Sequence, residues 1–529
     1  SKTGVYRLSK KDITNLPEAA ARPEHLQIFF KGKEIVSRAV GLEDNRFDDA
    51  DYLEFYLLAN QGDQDSTAYL QKGTRPPVTV NVFSDETFVF VTLGKTPGKR
   101  YTPDVFRNSG REEELHMAYE ITQLQDTWSF NNLTGAVPSV QQSYYERGES
   151  WTGPLITSPA KQQRNFSLKN YVEREDAPIQ FSALLATRGN IVHDIHLHIG
   201  ERLFGSIRNV GYDHHRYTTT IQKAELGPTF NFNTTSRNVS EAYSWTQFVL
   251  RYPQRLDLNG VDTLSIYPFP STAESSNLRL QNASHSAYDV TDVFAAKRLP
   301  MDGGSVYVPQ RKTTARIFVF KSTLSFATPQ VLKFKKPSQT ANYLILTHPS
   351  LRSAAEAYGE YRSSATGGNH AVEILEIQDI YNQFNYGDRS PAAIRDYLKY
   401  QLQQTATGER YLLLAGKPYS FPNYLKEEAA QDLVPAFGYP GSDALFSTGL
   451  GGLHEDVPAY LTGRIAARTS QEVLQYLQKV KEYESLPVEP WKKNTLHLNG
   501  GATVAELNTF RTYMQKIAGM AEKSRTNAA

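Results

Sequence analysis

Near residue 340 the hydrophobic pattern of this chain changes its period, and that change limits the folds open to it. Up to Lys335-Lys-Pro-Ser-Gln-Thr340 the apolar residues come in short runs of β-branched and aromatic side chains, bounded by Gly, Pro, Asn and Asp. Leu26-Gln-Ile-Phe-Phe30, Val78-Thr-Val-Asn-Val-Phe83, Thr87-Phe-Val-Phe-Val-Thr92, Ile191-Val-His-Asp-Ile-His-Leu-His198 and Arg316-Ile-Phe-Val-Phe320 are examples. Several alternate with period two, which predicts antiparallel strands with one face inward and one toward solvent. Beyond 340, Tyr343-Leu-Ile-Leu-Thr347 and Tyr411-Leu-Leu-Leu-Ala415 are continuous apolar runs, as in strands buried on both faces of a parallel sheet. Val372–Ile377 reads as a further strand and Trp491–Leu498 as strand-like. Helical spacing recurs over Ser350–Arg362, Ala392–Gln404, Thr469–Glu484 and Thr503–Glu522. Ser390-Pro391 is placed to cap and open the second of these, and Val473, Leu474, Leu477 and Val480 form the expected buried stripe of the third. Strands alternating with helices predict a parallel α/β layer with right-handed crossovers.

The expected organisation is therefore multidomain: an N-terminal β domain over 1–120, an antiparallel β-sandwich-like domain over 121–338, and an α/β domain over 339–529. The polar stretch Arg100–Arg111 is the expected first boundary. Trp128, Trp151 and Trp245 suit the sandwich core; such aromatics also suit carbohydrate binding, but core packing is the preferred reading.

Composition excludes several functions. The chain has 57 Lys+Arg against 56 Asp+Glu, a formal charge of +1, so no basic face marks a nucleic-acid partner. No run approaches the roughly 20 apolar residues of a membrane span. The opening Ser1-Lys2-Thr3-Gly4 lacks the apolar stretch of a signal peptide, as a mature or trimmed form also would. The sequons at Asn132, Asn165, Asn233, Asn238 and Asn282 matter only in a eukaryotic secretory pathway. There is no cysteine. Disulfides, Cys-ligated zinc or iron–sulfur sites and a thiol nucleophile are thereby excluded within these residues.

Candidate sites are sparse. His193, His196 and His198 with Asp194 resemble a metal cluster, but on a strand His196 and His198 share a face that His193 does not, and a polar outer face is preferred. His214-His215 reads as part of a polar loop. Glu43, Asp44, Asp48, Asp49 and Asp51 lack the spacing of a calcium loop and read as a solvated turn. No phosphate-binding loop, dinucleotide fingerprint or Gly-x-Ser-x-Gly elbow is present. His348 falls at a strand's carboxyl end, where parallel sheets place function, though His348-Pro349 equally suits a structural turn.

Asn342-Tyr-Leu-Ile-Leu-Thr-His-Pro-Ser350, Ile380-Tyr-Asn-Gln-Phe-Asn-Tyr-Gly387, Ser390-Pro-Ala-Ala-Ile-Arg-Asp-Tyr-Leu398, Tyr411-Leu-Leu-Leu-Ala-Gly416, Val434-Pro-Ala-Phe-Gly-Tyr-Pro-Gly-Ser-Asp443, Thr462-Gly-Arg-Ile465 and Val480-Lys-Glu-Tyr-Glu484 resemble, in order, the gingipain family of cysteine peptidases. Within it the likeness is greatest to PorU-type sortases of the bacterial type IX secretion system. Gly4-Val-Tyr-Arg-Leu8, Phe47–Tyr56 and Tyr288-Asp-Val-Thr-Asp292 resemble segments that precede the peptidase domain there.

The resemblance implies a caspase-like α/β domain whose histidine and cysteine end successive strands, in Gly-His and Gly-Cys segments, after the Trp491–Glu522 region. Neither can be carried onto a residue here, so the dyad is expected beyond Ala529 and this chain is expected to hold the first half of the domain. Two departures bear on activity. Ala459 stands where the family often has an acid before its Gly-Arg motif, and Gly416-Lys417 replaces a frequent Gly-Asp. Asp443 matches a recurrent Ser-Asp pair, with two readings open: shaping the cleft or binding calcium, or capping the turn before Ala444. The resemblance requires no cofactor and leaves structural calcium open. It implies protein substrates carrying C-terminal sorting domains, type IX secretion components as partners, and an extracellular, outer-membrane-surface or periplasmic location in a Bacteroidetes-type bacterium. The alternatives are a non-catalytic pseudo-peptidase or cell-surface adhesion protein, and an unrelated glycan-binding or glycan-processing protein; glycan processing would need paired carboxylates across a cleft.

Overall fold

The computed structural model describes residues 2–526 apart from 72, 132–142, 158–160, 270–274, 310–314, 405–407, 420–430, 488, 490, 492, 493 and 495. Antiparallel sheets come first. Gly4–Ser9, Tyr52–Leu57 and Arg38–Val40 form one; Lys33–Glu34, Leu26–Phe30 and Val89–Leu93 form another. The period-two pattern sends Leu26, Ile28 and Phe30 inward, where they meet Leu8, Leu53 and Phe55.

Two sheets then pack face to face. The larger joins Ile156–Thr157, Ala242–Arg255, Gln180–Thr187 and Asp213–Thr220, with Leu115–Gln123 added along Ala242–Arg255. The smaller joins Gln162–Phe166, Phe230–Ser236, Ile195–Ile199 and Arg202–Ile207. Between them Phe166, Phe181, Phe230, Phe232, Trp245 and Phe248 interdigitate at centroid distances such as 5.1 Å for Phe181–Phe232. A further pair of four-stranded sheets, running from Glu112 to Phe320, encloses Ile266, Leu278, Val306 and Ile317. Its Tyr288 and Phe318 pack on Val5 and Tyr56 of the first sheet.

The last part is the expected parallel layer. β1 (Tyr343–Thr347), β2 (Val372–Glu376), β3 (Tyr411–Ala415) and β4 (Leu461–Ile465) lie in the order β2-β1-β3-β4, all parallel. Helices α1 (Arg352–Ser363) and α4 (Ser470–Ser485) cover one face, burying Tyr343, Ile345 and Leu413 against Ala354, Tyr358, Val473 and Leu477. Helices α2 (Ile377–Phe384) and α3 (Pro391–Gln404) cover the other. That second core is shared: Leu344, Leu346, Leu412 and Leu414 meet Ile380 and Ile394 from the helices, and Val80, Phe83, Trp128, Tyr145 and Trp151 from the β region. Helix α5 (Val504–Thr526) follows. No helix among the described residues is long and apolar enough to cross a membrane.

Several expectations are corrected. Val78–Phe83 is not a strand, although Val80, Val82 and Phe83 are buried. Side chains take the place of ladder partners there: Asp65 accepts the Val82 amide, Asn81 the Phe83 and Ser84 amides, and Arg75 donates to the Val78 and Val80 carbonyls. Ile191–His198 narrows to a strand beginning at Ile195. Trp128 and Trp151 pack in the core shared with the parallel sheet, and only Trp245 sits in the sandwich. The second parallel strand stops at Glu376 because Ile377, Ile380, Tyr381 and Phe384 have helical spacing and form α2. Leu474 is 40% exposed, since only 473, 477 and 480 share the inward face of α4. The described residues of 491–498 form no strand, and Leu496 and Leu498 lie exposed with no neighbouring strand to pair with.

Candidate functional site

Chain order and sheet order part between β1 and β3: β2 flanks β1 on one side and β3 on the other. The carboxyl ends of β1 and β3 at such a reversal are the usual ligand position in an open parallel sheet. His348 leaves β1 at this point and Gly416-Lys417 leaves β3.

His348 is an N-cap. Its Nδ1 accepts the Ser350 amide at 3.2 Å and the Ser350 hydroxyl at 2.8 Å, which starts the turn into α1. Those bonds commit the Nδ1 lone pair and put the proton on Nε2. Burial lowers the imidazole pKa, with Glu376 opposing and Arg389 adding to the shift. The ring is therefore a neutral donor at pH 7. Beside it Arg389 Nη2 donates to Asp432 Oδ2 at 2.6 Å, and Asp432 Oδ1 accepts the Tyr419 amide at 2.8 Å. Burial raises the Asp432 pKa, and the adjacent Arg389 opposes that.

Asp443 is committed to Arg464 on β4. Nε donates to Oδ2 at 2.8 Å and Nη2 to Oδ1 at 2.7 Å. The three remaining N–H groups reach the carbonyls of Gly416 at 2.6 Å, Val434 at 2.8 Å and Pro435 at 2.8 Å. All five donors are used, and one guanidinium ties together the exits of β3 and β4 and the 434–435 loop. The Asp443 side chain does not cap the turn at Ala444. With a guanidinium on both oxygens, it does not suit a calcium ion.

The other candidates lie elsewhere. His193 is wholly buried ahead of its strand, 2.5 Å from Glu241 Oε1, rather than on an outer face. His196 lies 3.1 Å from Asp194, and His198 3.4 Å from the Thr235 hydroxyl. His214-His215 belongs to the strand Asp213–Thr220, not to a loop. His214 bonds Ser150 at 2.8 Å, and burial pushes its pKa down to about 3. In the acidic stretch, Asp51 Oδ2 accepts the Asp48 amide and Asp44 Oδ1 the Arg46 amide, as turn carboxylates do. Among the described residues no three His, Asp or Glu converge to hold a metal ion. The Asn233 sequon is buried, its Nδ2 donating to the Gly200 carbonyl, and Asn132 lies outside the described residues. Sequence reasoning missed the Arg464–Asp443 and Arg389–Asp432 pairs. No local signal marks them, because Leu461–Ile465 is short and interrupted by Gly463 and Arg464 and does not read as a strand.

The fold is a chain of antiparallel β sheets carrying a four-stranded parallel sheet covered by helices. Residues 336–528 match the profile of Peptidase family C25, so this part of the chain is a domain of the gingipain family. Over the whole chain the fold is similar to a crystal structure of dimeric latent PorU from Porphyromonas gingivalis, with a TM-score of 0.60 at 14% identity. The match covers 91% of this chain and 49% of that one, so this chain spans about half the length of that PorU chain. The CBM36-1 domain of a xylanase from the hindgut metagenome of Trinervitermes trinervoides matches at 8% identity over 25% of this chain and 95% of that one. Its TM-score of 0.16 is too low to carry an argument. No curated protein matches the sequence significantly.

Proposed function

We propose that this chain is the N-terminal portion of a gingipain-like cysteine endopeptidase or sortase that processes secreted proteins of the type IX secretion system at the bacterial cell surface. Within these 529 residues it acts as a scaffold without catalysis. The observation that carries the reading is a family C25 domain in a chain with no cysteine. Thiolate attack on a carbonyl needs a sulfur, and none is present. The carboxyl end of the parallel sheet supplies a neutral imidazole committed to a helix cap and an arginine clamp, which position backbone rather than attack substrate. On this reading the His–Cys dyad belongs to residues outside this chain, the substrates carry C-terminal sorting domains, and the partners are secretion components. The location is the outer-membrane surface, the exterior or the periplasm of a Bacteroidetes-type bacterium.

A second reading, a pseudo-peptidase or adhesion protein, is favoured by Ala459 and Lys417 at positions where the resemblance implies acids. The test is incubation of the 529-residue chain with fluorogenic peptides and a sorting-domain substrate, with and without iodoacetamide. No hydrolysis is expected. Turnover that co-purifies with the chain would overturn the scaffold reading.

A further inference from the structure

The β region and the parallel-sheet domain meet at a buried lysine–aspartate pair. Lys31 sits in the two-residue turn between Leu26–Phe30 and Lys33–Glu34, with Phe30 paired to Lys33. Both turn residues have positive φ, +48° at Lys31 and +76° at Gly32, the conformation of a tight hairpin turn. The turn aims its lysine at the connection between α2 and α3, where Lys31 Nζ donates to Asp388 Oδ2. The two residues are 357 positions apart in the chain. The Asp388 side chain is 2% exposed and that of Lys31 17%.

Both partners are held in place by their surroundings. The Gly387 amide donates to the Tyr381 carbonyl and the Asp388 amide to the Asn385 carbonyl, each at 2.9 Å, and Asn385 Nδ2 donates to the Asp388 carbonyl at 2.7 Å. The two turns interlock: a Cβ on Gly32 would stand 2.5 Å from the Tyr386 ring, and one on Gly387 2.7 Å from the Phe88 ring. Asn60 Nδ2 donates to Asp388 Oδ2 at 3.1 Å and to the Glu86 carbonyl at 2.8 Å. Asn60 Oδ1 in turn accepts the Gly62 amide at 3.1 Å and Asn81 Nδ2 at 3.2 Å, which fixes the amide against the carboxyl.

Burial favours the neutral members of such a pair, an amine and a carboxylic acid, over two ions. It raises the Asp388 pKa above the usual carboxylate value, against the pull of Lys31. A neutral amine held against a carboxylic acid is a nucleophile beside its electrophile, and the fixed geometry replaces a bimolecular encounter. The Asn60 N–H stabilises the oxyanion that attack would create. Burial also keeps away the water that would hydrolyse the product. We propose that Lys31 and Asp388 condense into an intramolecular amide, a covalent cross-link between the β region and the peptidase-family domain. Proton transfer within the pair gives the free amine and the free acid. Nζ then attacks Cγ and the Nζ–Cγ bond forms. A proton passes from the nitrogen to one carboxyl oxygen, and the Cγ–O bond breaks with loss of one water. No oxidant or co-substrate enters. A chain without cysteine cannot make this tie by a disulfide. The proposal goes beyond the peptidase reading and does not rest on it.

Denaturing intact-mass spectrometry of the 529-residue chain tests it. The parent is expected to be lighter than its sequence by one water, and a tryptic digest to hold a branched peptide joining the Lys31 segment to the Asp388 segment. Lys31→Arg keeps a cation beside Asp388 but presents a guanidinium that stays protonated and does not acylate. That variant and Asp388→Ala should each show their full sequence mass. A succinimide at Asp302-Gly303 would also remove one water but would join no peptides, so the branched peptide separates the two. That peptide decides the matter even where a variant fails to fold. Full sequence mass in the parent leaves a plain ion pair and overturns the proposal, as does a water loss that Lys31→Arg retains or that maps away from these two residues.

Discussion

Arg464→Ala should loosen the carboxyl end of the parallel sheet without unfolding the β region. The guanidinium makes five hydrogen bonds, and its side chain is 11% exposed against 28% for Asp443. A hydrogen bond to a charged group contributes about 1.5–3 kcal/mol, not additively, and breaking a buried pair costs about 3–5 kcal/mol. Partial exposure of Asp443 puts the loss near the lower end, about 3 kcal/mol. Asp443→Ala removes two of the five bonds and leaves the three carbonyls in place, for a loss of about 2 kcal/mol. The Asp443 carboxylate makes no other described bond, so the double variant should lose little more than Arg464→Ala alone, a coupling of about 1.5–2 kcal/mol. Because several cores unfold in one chain, a single global unfolding energy is the wrong readout, and site-resolved hydrogen exchange is the right one. The reporting amides are Gly416, bonded to Ile465, Lys417, bonded to Ala467, and Leu433, bonded to Lys417. Arg464→Ala should speed their exchange about 100-fold, while amides of Gln180–Thr187 keep their rates. Additive single-variant losses, or unchanged exchange at these three amides, would refute the clamp.

Two further perturbations probe the interior. Leu346→Ala should cost about 3–4 kcal/mol through the cavity it leaves, and because its core contains Trp128 and Trp151, tryptophan emission and α/β melting should shift together; separate shifts would contradict a shared core. Burial lifts the Asp65 carboxyl to about 7, against the Val82 amide and Arg75, which pull it down. The folded chain therefore keeps a proton that the unfolded chain releases near pH 4, so stability falls as pH rises from about 4 to 7. Asp65→Asn should flatten that slope in melts across the window, and an unchanged slope would count against the buried acid.

The parallel layer was readable because β1 and β3 are continuous apolar runs that only a doubly covered strand tolerates, and because Ser390-Pro391 and Thr469 mark helix starts locally. Where side chains replace backbone partners, periodicity misleads. Val78–Phe83 alternates like a strand, yet Asp65, Asn81 and Arg75 satisfy its backbone. β4 went unread as a strand because Leu461-Thr-Gly-Arg-Ile465 is short and interrupted by Gly463 and Arg464. At the site, the place of His348 followed from local order, strand then turn. The partners Arg464–Asp443 and Arg389–Asp432 are 21 and 43 residues apart, and no local pattern joins them.

The central claim, a scaffold belonging to a cysteine peptidase whose nucleophile lies elsewhere, is tested most directly by reading the coding sequence that follows the codon for Ala529. The account predicts an open frame with a Gly-His segment and then a Gly-Cys segment, each closing an apolar strand. A frame that stops at once, or continues without both, would contradict it.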